Sequence, residues 1–92
     1  MNEKTDDNVI FIGGKPFMNY VHGVSTQLTQ GAQEITIKSR GKFISKAVDV
    51  AEVARKNNPL SVKEIKIASE EFENKEGKKV NVSIMEIILE KK

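Results

Sequence analysis

Apolar and polar residues follow one another along the chain in blocks that predict four strands and two helices. The first block, residues 9–12 (VIFI), is wholly apolar and is closed by Gly13 and Gly14, which predicts a short strand buried on both faces. Pro16 then stands at a first helical position, and Gly31 marks the end of that helix. The apolar face of this predicted helix has spacings of four, three and four: Phe17, Val21, Val24 and Leu28.

The middle of the chain predicts a second strand and a second helix. Residues 34–38 alternate between polar and apolar, as in a strand with one face in solvent. A link over residues 39–43 leads to Ser45, which we expect to be the N-cap of the helix. The helix ends at residues 57–59 (NNP), because proline does not continue a helix. Its apolar face is made of small residues: Ala47, Val48, Val50, Ala51, Val53 and Ala54.

The remaining residues predict a hairpin. Its strands span residues 62–72 and 79–89, and the turn spans residues 73–78. In the last strand the apolar positions change phase at Ile84 and Met85. This pattern predicts either a bulge at that point or a strand covered on both faces, one of them by a partner subunit.

Together these elements predict an α/β layer, an α+β sandwich with two helices on a four-stranded mixed sheet in the order βαβαββ. The C-terminal hairpin is expected to protrude, and the strand order in the sheet stays open. We expect a single domain over residues 8–92, preceded by a polar leader over residues 1–7 that resembles neither a signal peptide nor a transit peptide. The apolar runs are too short to cross a membrane, so a cytoplasmic protein is expected.

The composition limits the kinds of functional site that this chain is able to form. The chain contains no cysteine, which excludes disulfides, thiolate zinc sites and a cysteine nucleophile. The net charge of +2 is unevenly distributed, since residues 13–56 carry seven cations and three acids. Four of those cations lie within residues 38–46, which contain no acid: Lys38, Arg40, Lys42 and Lys46. A local basic cluster on a nearly neutral domain favours a binding site for a polyanion.

This basic cluster is the first candidate site. It spans the end of a strand, a loop and the start of a helix, and therefore offers cations, free backbone N–H groups and a helix N-terminus to a phosphate. The alternative is a solvated loop that happens to be basic.

The segment at residues 13–16 (GGKP) is the second candidate, because it also joins a strand to a helix. It is not a P-loop, since the earlier glycine of that motif is absent and Pro16 follows the lysine. If both loops open at the same edge of the sheet, Lys15 lies beside Arg40 and Lys42 and the two segments form one basic surface.

The turn of the hairpin is the third candidate, because a two-stranded arm with a basic tip is able to enter a groove of a nucleic acid. Its cations are Lys75, Lys78 and Lys79. Glutamates flank the turn on both sides, so a mixed-charge hairpin exposed to solvent is an equal alternative.

Other polar residues indicate no catalytic chemistry. Tyr20 is interpreted as a partly buried core residue, with a stacking platform as the alternative. His22 is the only histidine and has no cysteine partner, so no metal site is expected. No serine, histidine and carboxylate grouping stands out, and we expect no enzyme activity, cofactor or small-molecule substrate.

Three segments of the chain resemble signatures of the Alba family, small archaeal chromatin and RNA-binding proteins. Residues 9–21 (VIFIGGKPFMNYV) resemble the opening signature, and residues 35–49 (ITIKSRGKFISKAVD) resemble the second and more specific one. Residues 83–87 (SIMEI) are similar to the closing one. With the matching order of elements, the resemblance covers about residues 8–90.

The resemblance implies a homodimer that holds double-stranded DNA across its body, with the hairpin arms in the minor groove. It implies little sequence preference, RNA as a further ligand, and a chromosome-associated protein that compacts DNA. The nucleic-acid-binding residues that the resemblance implies are Lys15, Arg40, Lys42 and Lys46 at matching positions, Asn19 and Tyr20 nearby and, matched more loosely, the hairpin lysines Lys75, Lys78 and Lys79.

Two departures from the family pattern limit what the resemblance implies. Gly14 occupies the position of the lysine that is the family's acetylation target, so acetylation control does not carry over to it. The link at residues 56–59 (KNNP) is short and polar, where the family commonly has an aromatic that joins dimers on DNA. Cooperative assembly on DNA is therefore not implied.

Four functions follow from these residues, with phosphate binding to double-stranded DNA in first place. RNA processing or protection is the alternative, because phosphate contacts alone do not distinguish the two sugars. A protein-interaction module would bind independently of salt. A phosphoryl-transfer enzyme is disfavoured, because metal-binding carboxylates are missing near the loop of residues 13–16.

Overall fold

The computed structural model describes residues 8–92, and the predicted leader at residues 1–7 lies outside the described residues. The elements follow the predicted order βαβαββ, which confirms the α+β class. They are β1 (Val9–Phe11), α1 (Phe17–Thr29), β2 (Glu34–Arg40), a 3₁₀ turn (Gly41–Phe43), α2 (Ile44–Asn57), β3 (Leu60–Glu73) and β4 (Lys79–Lys91). Among residues 8–92, no helix has both the length and the apolar character needed to cross a membrane.

The sheet has the strand order β1-β2-β4-β3. Strand β1 runs parallel to β2, whereas β4 is antiparallel to both β2 and β3, so the sheet is mixed as predicted. Both helices pack on one face of this sheet, and we call the opposite face the open face.

The core lies between the helices and the sheet. The predicted apolar face of α1 is confirmed, since Val21 and Val24 are fully buried and Phe17 and Leu28 pack against them. Alternate residues of the two central strands meet these helices, with Ile35 beside Leu89 in the register.

The prediction that the first strand is buried on both faces is wrong. Strand β1 is an edge strand, and its outward side chain on the open face, Phe11, is 68% exposed. Ile12, which follows the strand, is buried on the helix side. The pattern did not distinguish an edge strand from a central strand, because an apolar run of this length is compatible with both positions in a sheet.

The predicted N-cap at Ser45 is also wrong. Helix α2 begins at Ile44, with Phe43 at the N-cap position and no side-chain hydrogen bond to the first turn. Pairing with β4 extends β2 as far as Arg40, which leaves only the 3₁₀ turn between the strand and the helix. The predicted end of α2 is confirmed at Asn57.

The predicted bulge at Ile84 and Met85 is absent, because β4 pairs regularly with both neighbours there. The register instead shifts in β3, between Val62 and Glu64. The extra residue, Lys63, changes the phase of β3, so Val62 and Ile65 point to the helix side of the sheet although three positions separate them.

The hairpin of β3 and β4 protrudes as predicted and accounts for the long dimension of the molecule, 45 Å. Burial decreases along β3 as the strand leaves the helices. On the helix side of the sheet, Leu60 is 2% exposed, Ile65 54% and Ile67 77%. The outer hairpin therefore presents apolar side chains that residues 8–92 of one chain do not cover.

Candidate functional site

Two loops meet at one edge of the sheet because β1 and β2 are parallel neighbours. The N–H of Ile12 donates to the carbonyl of Lys38 at 2.9 Å, which continues the pairing to the end of both strands. The loop of residues 13–16 consequently lies next to the 3₁₀ turn that follows β2. The predicted proximity of the two strand-to-helix loops follows from this pairing.

Lys46 ties the two loops together. Its Nζ, on the first turn of α2, donates to the carbonyl oxygen of Gly13 at 2.8 Å and to that of Lys15 at 2.6 Å. Since an ammonium group has three N–H donors, one remains for a further partner. Lys46 is therefore first of all a link between α2 and the loop of residues 13–16.

Tyr20 holds the same loop from α1. Its hydroxyl oxygen accepts hydrogen bonds from the N–H of Gly13 at 2.9 Å and of Lys15 at 3.1 Å. The side chain is only 8% exposed, so the ring belongs to the core, the first of its two interpretations, and has no face free for stacking.

Lys42 lies beside Lys46 across the ring of Phe43. The two ammonium groups are 5.5 and 5.9 Å from its centroid, and Lys46 Nζ also lies 5.2 Å from the centroid of Tyr20. Lys46 thus contacts the backbone of Lys15 and shares the ring of Phe43 with Lys42, so the three lysines come from two separate segments that meet at one edge of the sheet. We call these three residues the loop cluster.

The other two cations of the basic segment have carboxylate partners on the open face. Lys38 Nζ is 3.5 Å from Glu86, its cross-strand neighbour on β4, and Arg40 is 3.5 Å from Glu70 on β3. These pairs are long and solvent-exposed, so each contributes at most about 1 kcal/mol and yields readily to a competing anion. Sequence reasoning missed both carboxylates, because they follow Lys38 and Arg40 by a whole helix and belong to other strands.

Asn19 is exposed on the first turn of α1, immediately after the loop of residues 13–16. Its backbone N–H donates to the carbonyl of Pro16 at 3.0 Å. His22 is exposed one turn later. No cluster of three or more metal-ligating side chains occurs anywhere between residues 8 and 92.

The hairpin lysines lie apart from the loop cluster, at the far end of the arm. The turn is fixed by Asn74, whose Oδ1 accepts hydrogen bonds from the N–H of Glu76 at 2.9 Å and of Lys78 at 3.0 Å. Gly77 supplies the left-handed conformation with φ of 79°. The three lysines here are exposed, and none takes part in an ion pair within the described range: Lys75, Lys78 and Lys79.

A groove on the open face adjoins the loop cluster. It has a volume of about 460 Å³, and its apolar floor includes Phe11, Ala68 and Ile84. The ion pairs of Lys38 and Arg40 lie along it. No pattern in the sequence pointed to this groove, because residues 9–12 are all apolar and the exposure of Phe11 depends on the strand order.

Comparison with known proteins shows likeness over nearly the whole chain. The sequence model of the Alba family matches residues 8–69. DNA/RNA-binding protein Alba of Methanocella arvoryzae is 49% identical over 88 residues, which cover 94% of this chain and 92% of that protein. DNA/RNA-binding protein Alba 1 of Archaeoglobus fulgidus is 51% identical over 88 residues, with 94% and 98% covered.

A solved structure, Alba from Thermoplasma volcanium, superposes with a TM-score of 0.85 at 46% identity and covers 91% of this chain and 100% of that one. The family match at residues 8–69 contains both loops of the loop cluster and stops before the tip of the hairpin.

Proposed function

Because this chain belongs to the Alba family, we propose that it binds nucleic acids through their phosphates, as a homodimer, with the loop cluster of each subunit as the main contact. The observation that carries this proposal is the position of Lys46, whose hydrogen bonds to Gly13 and Lys15 bring two separated basic segments to one edge of the sheet. Two nearby cationic loops form a local positive potential to which a phosphate backbone binds.

The cations in and beside the loop cluster have different roles in the proposed binding. Lys15 and Lys42 are exposed and form no ion pair with any residue in the described range, so they neutralise phosphates directly. Lys46 contributes its one remaining N–H. Arg40 joins the surface when a phosphate displaces Glu70, and Asn19 adds a neutral donor beside Lys15.

The proposed ligands are double-stranded DNA, bound without sequence preference in a chromosome-associated role of compaction, and RNA. The relatives from Methanocella and Archaeoglobus carry both nucleic acids in their names. Phosphates are common to both, and nothing in the loop cluster reads bases. A main role in RNA processing or protection is the second candidate, and competition between duplex DNA and structured RNA for a limiting amount of protein distinguishes the two.

A second copy of the chain is the proposed partner of the exposed apolar surface on the helix side of the sheet. Ile67 is 77% exposed, Ile65 54% and Val48 of α2 41%, and together they form a surface that association would remove from water. In such a dimer the two hairpins become arms on either side of the body. Their basic tips are proposed to enter the minor groove, where Lys75, Lys78 and Lys79 approach phosphates.

Binding affinity measured against salt concentration tests the proposal. Each phosphate neutralised by the protein contributes about 0.9 to the slope of log affinity against log salt for duplex DNA. Lys15→Gln or Lys42→Gln removes one contact per subunit, so we expect the slope to fall by about 1.8 per dimer and the affinity to fall similarly for unrelated sequences.

The matched control is Lys56→Gln, which removes the same charge from the opposite end of α2. Its slope is expected to stay within experimental error of the parent protein. The proposal is contradicted if the parent slope is flatter than about −2, or if Lys56→Gln reduces the slope as much as Lys15→Gln does.

A further inference from the structure

The ring of Phe11 is exposed on a face of the sheet that neither α1 nor α2 covers. It is 68% exposed, and Lys38 Nζ lies 5.6 Å from its centroid. A single exposed apolar residue needs no explanation. Phe11, however, lines the open-face groove together with Ala68 and Ile84. Its flat aromatic face is therefore part of a concave surface.

The charges along this groove cancel in pairs. Lys38 is 3.5 Å from Glu86, and Arg40 is 3.5 Å from Glu70. The groove therefore offers both hydrogen-bond donors and acceptors around an apolar floor, without the excess of cations found in the loop cluster. A phosphate is therefore bound more favourably by the loop cluster than by this groove. A flat, neutral group with hydrogen-bond donors and acceptors along its edge fits the groove.

The base of a nucleotide has these properties. Its faces are apolar and stack on aromatic rings, and its edge carries both donors and acceptors. In a duplex the two faces are covered by neighbouring bases, so only an unpaired base presents a free face.

The groove also lies where such a base would arrive. Phe11 ends β1, which leads into the loop of residues 13–16, and Arg40 ends β2, directly before the 3₁₀ turn that carries Lys42. A single strand whose phosphates contact the loop cluster therefore passes the mouth of the groove. We infer that Phe11 and the open-face groove bind an unpaired base of a single-stranded nucleic acid. This inference rests on the proposed phosphate binding and adds a class of ligand to it.

Tryptophan fluorescence provides a direct test, because the chain contains no tryptophan. Phe11→Trp introduces a single fluorophore in the proposed site. Its emission is expected to be quenched by ten-nucleotide oligo(U) or oligo(dT) and unchanged by a blunt DNA duplex. Oligo(dU) differs from oligo(U) only in the sugar, so comparison of these two oligomers shows whether the ribose matters. Phe72→Trp, on the same face of the sheet but far out on the hairpin and outside the groove, is the control, and we expect weaker quenching there.

Affinity measurements provide the second test. Phe11→Ala, and Phe11→Leu, which keeps an apolar side chain without an aromatic face, are expected to weaken binding of the single-stranded oligomers about 5- to 100-fold, the loss typical of one base–aromatic stack. Phe11→Tyr is expected to retain it. All three variants should bind the duplex within about two-fold of the parent protein, since the loop cluster is intact.

The two proposals fail differently. If the parent protein binds no nucleic acid in a salt-dependent manner, phosphate binding is wrong and the groove inference falls with it. If the duplex and the single strands bind with the expected salt dependence, but the tryptophan introduced at position 11 is not quenched and Phe11→Leu binds single strands as the parent does, the groove inference alone is overturned.

Discussion

Lys46 and Tyr20 hold the same loop through opposite groups of its backbone. The ammonium of Lys46 donates to the carbonyls of Gly13 and Lys15, and the hydroxyl of Tyr20 accepts from the N–H groups of the same two residues. The loop is thus fixed by one side chain from each helix. Because Lys15 lies within this loop, the position of its ammonium group, which we propose to bind phosphate, depends on both helices.

Removal of the Lys46 ammonium should loosen the loop. In Lys46→Met the two charge-assisted hydrogen bonds are lost, and we expect the free energy of unfolding to fall by about 1–3 kcal/mol. Amide hydrogen exchange should accelerate at Gly13 and Lys15, and urea unfolding measures the loss of stability. Lys42→Met removes an equal charge but no hydrogen bond to the loop, so its exchange rates at these two amides should match the parent protein. Equal acceleration in both variants would show that charge alone governs the loop.

Tyr20→Phe keeps the buried ring and deletes only the hydroxyl acceptor. Two backbone N–H groups then lose their partner, and we expect a loss of about 1–2 kcal/mol in the free energy of unfolding, or roughly 4–16 °C in Tm. Thermal unfolding followed by circular dichroism measures it. Ser45→Ala also deletes a hydroxyl, but Ser45 is exposed and caps no helix, so its Tm should stay close to that of the parent protein. A Tyr20→Phe variant of unchanged Tm would show that the two hydrogen bonds of the hydroxyl do not stabilise the loop.

Ile67→Glu is expected to separate the proposed dimer into monomers. A glutamate at this position would bury two unpaired carboxylates in the dimer, at a cost of about 3 kcal/mol or more for each. Light scattering coupled to size exclusion should give the mass of one 10.3 kDa chain for the variant and twice that mass for the parent. Phe72→Glu, on the opposite face of β3, should remain dimeric. A parent protein that is monomeric at micromolar concentration contradicts the proposed interface.

The ion pair of Lys63 and Glu34 predicts a pH dependence. Lys63 Nζ lies 2.6 Å from the Glu34 carboxylate, and this hydrogen bond, together with the charge of Glu34, raises the pKa of Lys63 above its ordinary 10.5. A raised pKa in the folded state means that the pair stabilises the fold below pH 10.5 and that this contribution is lost as the pH rises through the folded-state pKa.

Titration of the Lys63 side chain by NMR measures this shift. Glu34→Gln should lower the pKa of Lys63 more than Glu64→Gln does, because Glu64 acts only through its charge and to a smaller extent. Equal shifts in the two variants would show that the hydrogen bond with Glu34 is not the main cause.

The local pattern of residues was sufficient to predict the elements, their order and most of their ends. Apolar residues at helical spacing, such as Val21 and Val24, predict a helix whatever packs against it, and Pro16 and Pro59 restrict the backbone locally. The basic character of residues 38–46 was equally visible, because the charge of each side chain follows from its residue type.

How these elements meet depends on contacts between residues that are far apart along the chain. Strand order placed β1 at the edge, which exposes Phe11, and the register of β4 set Glu86 beside Lys38. The position of Lys46 in the basic segment suggests a phosphate ligand. Because α2 packs against the loop of residues 13–16, the ammonium group of Lys46 instead donates to two backbone carbonyls of that loop. Such contacts join residues far apart along the chain, and they depend on strand pairing and packing geometry, which the local pattern of apolar and polar residues does not encode.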